Sequence, residues 1–436
     1  MQPTSIKIIE QLREQGHQAF WAGGCVRDML LGIKPKDYDI VTSARPEEIE
    51  AILETTIPIG KEFGVILALQ DGHNFEIATF RSDSGYSDGR RPDAVEFTTA
   101  EEDAKRRDFT INGMFYDPTH DKVFDYVGGQ IDLENKLIRF IGNPEERIKE
   151  DHLRILRAIR FKNVYDFQYH PDTYQAIKKH INLVKDVSPE RVADELNKMI
   201  ISPRRVDALN DLADLGLLEL ILPEISALKG VAQPDIYHQE GDVFTHTMAC
   251  LKSMSPNKPL SLYWAVMLHD VGKAQTFKVA ERIRFDGHAE ASAAIAKNLL
   301  KRLKFSRRFI QKVSWLCEHH MSVFNVLDMP KQTRMKWFLK PWFLDLLEVH
   351  KADASGAIPV DLAGYQKVRS LYDKETSQLP AQLPKLLSGE EVMQILQLKP
   401  GPKLGLILEE IADLQKAGEL VTPLQTRAWL KHNYLN

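Results

Sequence analysis

Apolar residues recur at helical spacing in "SIKIIEQLREQG", residues 5–16, and Gly16 stands where such a helix would stop. The pattern then changes. "AFWAGG", 19–24, reads as a short buried strand running into a glycine turn, "VRDMLLG" as a helix, "YDIVTS" as a second strand and "PEEIEAILE" as the helix after it. Further strands are expected at "GVILALQ", "FEIATFR" and "AVEFT". Beyond residue 145 helical periodicity takes over, in "EERIKEDHLRILRAIRF", "SPERVADELNKMI", "DALNDLADLGLLELI" and "LYWAVMLHDVGK". The expected fold class is α+β, a mixed-sheet head at 1–142 followed by all-helical parts at 143–228, 229–376 and 386–436. No repeat at a solenoid period is evident, and "SQLPAQLPK", 377–385, is the best candidate linker.

A chain of 436 residues is too long for one ordinary core, which agrees with several parts. Its 43% hydrophobic and 27% charged content is that of a soluble globular protein. No run approaches the roughly 18 apolar residues of a membrane span, and "MQPTSIKIIEQLREQG" lacks a signal peptide's apolar centre, so a cytoplasmic protein without a membrane partner is expected. Oligomeric state is not legible. Cys25, Cys250 and Cys317 lie far apart without CxxC spacing, which argues against both a disulfide framework and a cysteine zinc site. The net charge of −4 argues against a wholly basic nucleic-acid binder, although "KRLKFSRRFIQK", 301–312, carries six Lys/Arg and no acid.

The densest chemistry lies in "GGCVRDMLLGIKPKDYDI", 23–40. A strand ending in Gly23-Gly24 and leading into a helix exposes backbone N–H groups suited to a phosphate, and Arg27 adds a charged donor. Asp37 and Asp39 flank a single residue in a strand, so both side chains face one way and can share a hard divalent cation such as Mg²⁺. An isolated DxD is more often a surface turn; the upstream glycines and apolar flanks favour nucleotidyl transfer. Glu76, in "FEIATFR", is a candidate third carboxylate, with a solvent-facing strand glutamate as the alternative.

With "RRDFTINGMFYD", 106–117, "EDHLRILRAIRF", 150–161, and "LSGEEVMQILQLKPGPKLGLIL", 387–408, in that order, the chain resembles the bacterial-type (class II) CCA-adding tRNA nucleotidyltransferases and poly(A) polymerases. The resemblance implies a catalytic head, a neck, an HD body and a tail, with tRNA, CTP and ATP as partners. In "KRRDFTIN", three cations precede an acid and an amide, a set able to hold phosphates through Arg107 while Asp108 or Asn112 meets ribose hydroxyls, with a solvated charge cluster at a helix start as the bland alternative. In "EDHLR", Asp151 and Arg154 sit three apart and are expected to share a helix face. The resemblance implies that they pair with the base of incoming CTP or ATP, with Arg157 and Arg160 of the same basic helix beside them; an intrahelical salt bridge is the bland alternative. "RSDSGYSDGRRP", 81–92, lies where the family has a flexible loop associated with the switch to ATP, which leans towards complete CCA addition.

A second constellation follows. His246, His269, Asp270, His288, His320 and Asp353 resemble the full HD-domain ligand set, suited to one or two transition-metal ions that activate water against a phosphoester. Some HD domains of this family are phosphohydrolases and others are structural remnants.

Poly(A) polymerase or A-only addition is the alternative product class, although "IPIGKEFGVI", 57–66, with Glu62 and Gly64, departs from the more basic polymerase pattern. Two readings of another kind remain: a degenerate RNA-holding module, against which Asp37 and Asp39 argue, and an HD hydrolase with an accessory head. The run 301–312 and "KQTRMKWFLK", 331–340, could contact tRNA backbone or be solvated helix faces.

Overall fold

The computed structural model describes every residue except 87, 88, 91, 235, 237, 378–384, 417, 418 and 436, and the side chain of residue 416. Most of the expected linker at 377–385, and part of the loop at 81–92, therefore lie outside the described residues. The chain divides into two compact units, Met1–Ile221 and Leu222–Asn436.

The first unit is built on strands β1 (Ala19–Ala22), β2 (Ile40–Thr42), β3 (Thr56–Gly60), β4 (Val65–Gln70), β5 (His73–Thr79), β6 (Arg81–Ser84), β7 (Ala94–Phe97), β8 (Met114–Asp117) and β9 (Lys122–Asp125). Seven of them form one sheet in the order β3-β4-β5-β2-β1-β8-β9. Only the β2–β5 pair is parallel, so the sheet is mixed. All four residues of β1 are buried, as a central strand covered on both faces requires. One face carries a cluster of Phe20, Phe80 and Phe115 with ring centroids 6.1 to 6.4 Å apart. Truncating one such ring to alanine costs about 3–5 kcal/mol. The helix Gln2–Glu14 buries Ile8, Ile9 and Leu12, and Ser5 on the same helix accepts a hydrogen bond from the Trp21 indole at 3.0 Å. The segment 81–92 begins as strand, because β6 pairs with β7 in a separate two-stranded sheet.

The neck departs from the expected pattern at one decisive place. "EERIKEDHLRILRAIRF" is not one helix: Pro144–Glu150 ends at Asp151, whose φ of −143° and ψ of 104° are extended, and a second helix runs from Arg154 to Tyr165. Asp151 Oδ1 accepts from the Leu153 N–H at 3.1 Å, so the aspartate breaks the first helix and serves the start of the second. Asp151 and Arg154 consequently share no helix face. The neck is helical apart from Gln168–Tyr169, which pair in parallel with Leu137–Ile138.

In the second unit the helix Leu260–Leu268 buries every residue from Ser261 to Leu268, a helix apolar all round and therefore central. A short hairpin, Lys278–Val279 with Ile283–Arg284, is its only described sheet. Leu387, Val392, Leu396, Ile407, Ile411, Leu420 and Leu430 make a separate apolar cluster in the tail. No described helix is long and apolar enough to cross a membrane.

Candidate functional site

β1 delivers the chain to Gly23, whose φ of 68° is left-handed; a Cβ there would lie 3.1 Å from the Arg107 guanidinium. The helix Gly24–Leu30 follows. The Gly23 N–H donates to the Met114 carbonyl at 3.3 Å, so phosphate-facing N–H groups would come from the helix's first turn. Asp37 and Asp39 lie in extended chain just ahead of β2, not inside it. Tyr38 between them is buried while both aspartates are exposed, the alternation that sets two carboxylates on one side. Glu76 joins them by register. Ile40 stands opposite Ile77 in the parallel pair, so the residues preceding each, Asp39 and Glu76, are neighbours as well. Although solvent reaches Asp39, crowding by surrounding protein pushes its carboxyl up to about 6, with the charges of Asp37 and Glu76 adding to the rise and Arg107 opposing it. Three like charges converging there, with Arg107 opposing them, make a strong acceptor for a divalent cation.

These carboxylates open on a cavity of about 530 Å³ within the first unit. Gly23, Gly24, Arg27, Asp37 and Asp39 line one side; Asp151, Arg154, Arg157, Arg160 and Arg191 line another, with Arg107, Asp108 and Asn112 between. Glu76 is not among the lining residues. Arg154, Arg157 and Arg160 recur every third residue of their helix and so form one stripe, with the Arg160 guanidinium 4.0 Å from the Phe161 ring.

Several predicted ligand-binding groups are already held by the protein. Arg27 is buried, donates to Asn112 Oδ1 at 2.6 Å and to Asp28 Oδ1 at 2.7 and 2.9 Å, and lies over the Phe161 and Tyr165 rings. Tyr165 also donates to Asp28, Asn112 donates to Asp108, and Arg157 donates to Asp108 at 2.7 Å. A continuous polar chain thus runs from Tyr165 through Asp28, Arg27, Asn112 and Asp108 to Arg157. Burial would raise the Asp108 carboxyl, but Arg157, the Asn112 hydrogen bond and Arg154 outweigh it and hold it at about 2. Asp103, fully buried, anchors both Arg106 and Arg107.

The predicted pair is likewise separated into two ion pairs. Asp151 takes two contacts from Arg191, at 3.0 and 2.8 Å, while Arg154 donates to Glu150 at 2.6 Å and to the Arg147 carbonyl at 2.9 Å. Sequence reasoning missed Asp28, Asp103, Tyr165, Arg191 and Glu195, the last bound to Arg160. Asp28 and Asp103 stand within four residues of the arginines they hold, a local signal that could have found them, whereas Tyr165, Arg191 and Glu195 reach their partners from distant segments.

In the second unit five helices converge, two of them through residues within the helix and three through their ends. His246 lies on the helix Val243–Ser253, His269 and Asp270 emerge from the buried end of Leu260–Leu268, His288 opens His288–Arg302, His320 follows Arg307–His319, and Asp353 lies on Phe343–Gly356. Each imidazole is tied through Nδ1: His246 to Glu240 at 2.7 Å, and His269, His288 and His320 to the carbonyls of Val266, Phe285 and Cys317 at 2.7, 2.9 and 2.7 Å. All four Nε2 atoms are thereby turned inward, the orientation a metal ligand needs once each imidazole is neutral. His269 Nε2 is buried with no hydrogen-bond partner. Asp270 Oδ2 lies 3.4 Å from His269 Nε2, while its Oδ1 lies 3.4 and 3.6 Å from the Nε2 atoms of His288 and His320. Burial opposes charge on His269, yet Asp270 and Asp353 outweigh it and raise its pKa well above the ordinary imidazole value; burial and the His269 charge depress His320 to about 4. These residues fit a divalent transition metal: nitrogen and carboxylate donors at ligand spacing, with oriented imidazoles and an orphaned buried nitrogen.

Sequence spacing argued against any cysteine at a metal site, but Cys250 enters this cluster because positions 246 and 250 lie one turn apart on a helix. Glu240, His238 and Lys273, which contacts Asp270 at 2.6 Å, were also missed. The basic stretches are partly spent internally: Arg302 pairs with Glu224, Lys312 with Asp345, Arg334 with Glu375 and Lys340 with Glu419.

Residues 19–139 match the Poly A polymerase head domain, 166–229 the probable RNA and SrmB-binding site of polymerase A, and 243–340 the HD domain. The CCA-adding enzyme of Streptococcus sanguinis is 30% identical over 416 residues, 93% of this chain and 91% of that protein. That of Ligilactobacillus salivarius is 42% identical over 233 residues, where the match spans 52% of this chain and 57% of the relative. The crystal structure of the Bacillus stearothermophilus CCA-adding enzyme in complex with CTP superposes with a TM-score of 0.62 at 26% identity, covering 99% of this chain and 96% of that one.

Proposed function

The chain belongs to the CCA-adding enzyme family, and from that premise we propose that it adds CCA to tRNA 3′ ends without a template, transferring CMP and then AMP from CTP and ATP. One observation carries the reading: Asp37 and Asp39, with Glu76 beside them, face the same cavity as an arginine stripe and Asp151. Asp37 and Asp39 would hold the divalent cation, Mg²⁺ by the preference of hard ions for carboxylates, with Glu76 reinforcing their field. A cation bound there supplies charge neutralisation at the α-phosphate and the leaving pyrophosphate and lowers the barrier for attack by the tRNA 3′ hydroxyl.

The rest falls to the chain's own groups. The first turn after Gly23 and the guanidinium of Arg107 orient the triphosphate, and the Arg27–Asn112–Asp108 chain keeps the cavity wall rigid. Asp151 accepts from the exocyclic amine that cytosine and adenine share, and Arg154 donates to the adjacent ring acceptor, with Arg157 and Arg160 completing the nucleotide side of the cavity. Protein groups thus stand where a template base would. A cytoplasmic site of action fits this substrate. Incubating the purified chain with tRNA lacking its 3′ end, and with each triphosphate separately and together, tests the reading: ordered incorporation of C, C and A supports it, and incorporation of A alone would make the chain an A-adding enzyme.

We infer a second activity at the centre of the second unit, metal-dependent hydrolysis of a phosphoester. The observation that favours it is the four imidazoles tied at Nδ1 and aimed at Asp270 and Asp353. One or two divalent metals held by His246, His269, Asp270, His288, His320 and Asp353 would supply Lewis acidity for water activation.

A further inference from the structure

We propose that Cys250 is a thiolate ligand of the metal centre in the second unit, joining His246, His269 and Asp353, and that it makes this centre selective for zinc-like ions over Mg²⁺. The inference rests on the reading of that centre as a metal site and adds a donor of a different chemical class.

Buried cysteines usually pack as small apolar groups. Cys250 does not. Its Sγ lies 3.3 Å from His246 Nε2, on the nitrogen that the Glu240 hydrogen bond leaves as an acceptor. Asp353 Oδ1 lies 3.0 Å from that same nitrogen and 3.6 Å from His269 Nε2. One donor atom from each of these four residues falls within 4.8 Å of all the others. Ligands bound at about 2.0–2.1 Å for nitrogen and about 2.3 Å for sulfur stand roughly 3–4 Å apart around one ion, so the observed spacings need little movement. His269 Nε2, buried and without a well-formed hydrogen bond although Asp270 and Asp353 lie 3.4 and 3.6 Å away, faces the same point.

The backbone also makes room for the sulfur. A Cβ at Gly356, one turn beyond Asp353, would fall 2.4 Å from Sγ, so the helices carrying Cys250 and Asp353 approach this closely only because that position is glycine. Asp270 then divides the cluster. Its Oδ2 faces His269, whereas its Oδ1 faces His288 and His320, a group of three without sulfur. The thiolate therefore distinguishes one side of the centre from the other. A soft donor favours Zn²⁺, Co²⁺ and Ni²⁺ and contributes little to Mg²⁺; binding releases the thiol proton to solvent.

The test uses the full chain loaded with Co²⁺ and read by absorption spectroscopy. Wild type should show visible ligand-field bands together with an intense near-ultraviolet thiolate-to-cobalt charge-transfer band. Cys250→Ser should keep the ligand-field bands, lose the charge-transfer band and bind Zn²⁺ about ten- to hundredfold more weakly, while Cys25→Ser, in the first unit, should keep both. Zinc-edge X-ray absorption of wild type needs no variant to fold and should report a sulfur scatterer at about 2.3 Å. Cobalt bound in the second unit without a charge-transfer band or sulfur scatterer overturns the thiolate and leaves the metal centre standing. No cobalt bound there overturns both.

Discussion

Replacing Arg191 with alanine should loosen base selection although Arg191 need not touch the nucleotide. Arg191 holds Asp151 through contacts of 3.0 and 2.8 Å, and these side chains are 24% and 18% exposed. Partial solvent screening places the interaction near the low end of charged hydrogen bonds, about 1.5 kcal/mol. That is roughly tenfold in discrimination. Asp151→Ala removes the acceptor itself. UTP and GTP present a carbonyl where CTP and ATP present an amine, and leaving a buried polar group unmatched costs about 1–3 kcal/mol, roughly ten- to hundredfold. The preference for CTP over UTP should therefore fall about tenfold in Arg191→Ala and further in Asp151→Ala. The assay is kcat/KM for each triphosphate on tRNA lacking its 3′ end, with circular dichroism to establish folding. An unchanged CTP-to-UTP ratio in a folded Asp151→Ala protein would refute the reasoning. An equal loss for all four triphosphates would reduce Asp151 to a helix-starting residue, the role its contact with the Leu153 N–H already gives it.

The head carboxylates make a sharper demand: Asp37→Ala with Asp39→Ala should abolish nucleotide addition while leaving the melting temperature nearly unchanged, because both side chains are exposed and outside the core; normal incorporation would remove them from the catalytic assignment. His269→Ala with Asp270→Ala should leave CCA addition near wild type and eliminate both metal binding in the second unit and metal-dependent phosphate release, and loss of CMP incorporation in a folded variant would show that the two sites are coupled. Asp108 carries a pH signature. Its folded carboxyl, at about 2, lies below the ordinary unfolded value, so its contribution is complete above about pH 4 and is lost as pH falls towards 2, an amount of about 2 kcal/mol. Urea unfolding of the first unit in Asp108→Asn should show lower stability at pH 7 and a flatter acid limb; a limb as steep as wild type would assign the acid sensitivity elsewhere.

The alternation of buried and exposed positions sufficed for the mixed sheet and for setting Asp37 and Asp39 on one side, since two-residue periodicity is a local property of extended chain. Arg157 and Arg160 are named only through the family resemblance, and the helix then sets them on one stripe with Arg154; chain order was enough to assemble the His246 to Asp353 set through the same resemblance. Tertiary structure decided what those groups do with their hydrogen-bonding capacity. Arg27, read as a free phosphate donor, is committed to Asp28 and Asn112, and Asp151 and Arg154, read as one helical pair, answer to Arg191 and Glu150. Periodicity cannot show this, because a side chain's neighbours on its own helix are set by a rise of about 1.5 Å per residue, whereas Arg191 reaches Asp151 only when two distant segments pack. The same holds for Cys250. Its spacing from the other cysteines spoke against a metal site, but its donor partners are histidines and an aspartate from three helices, brought within reach of its sulfur where Gly356 lets two of those helices close.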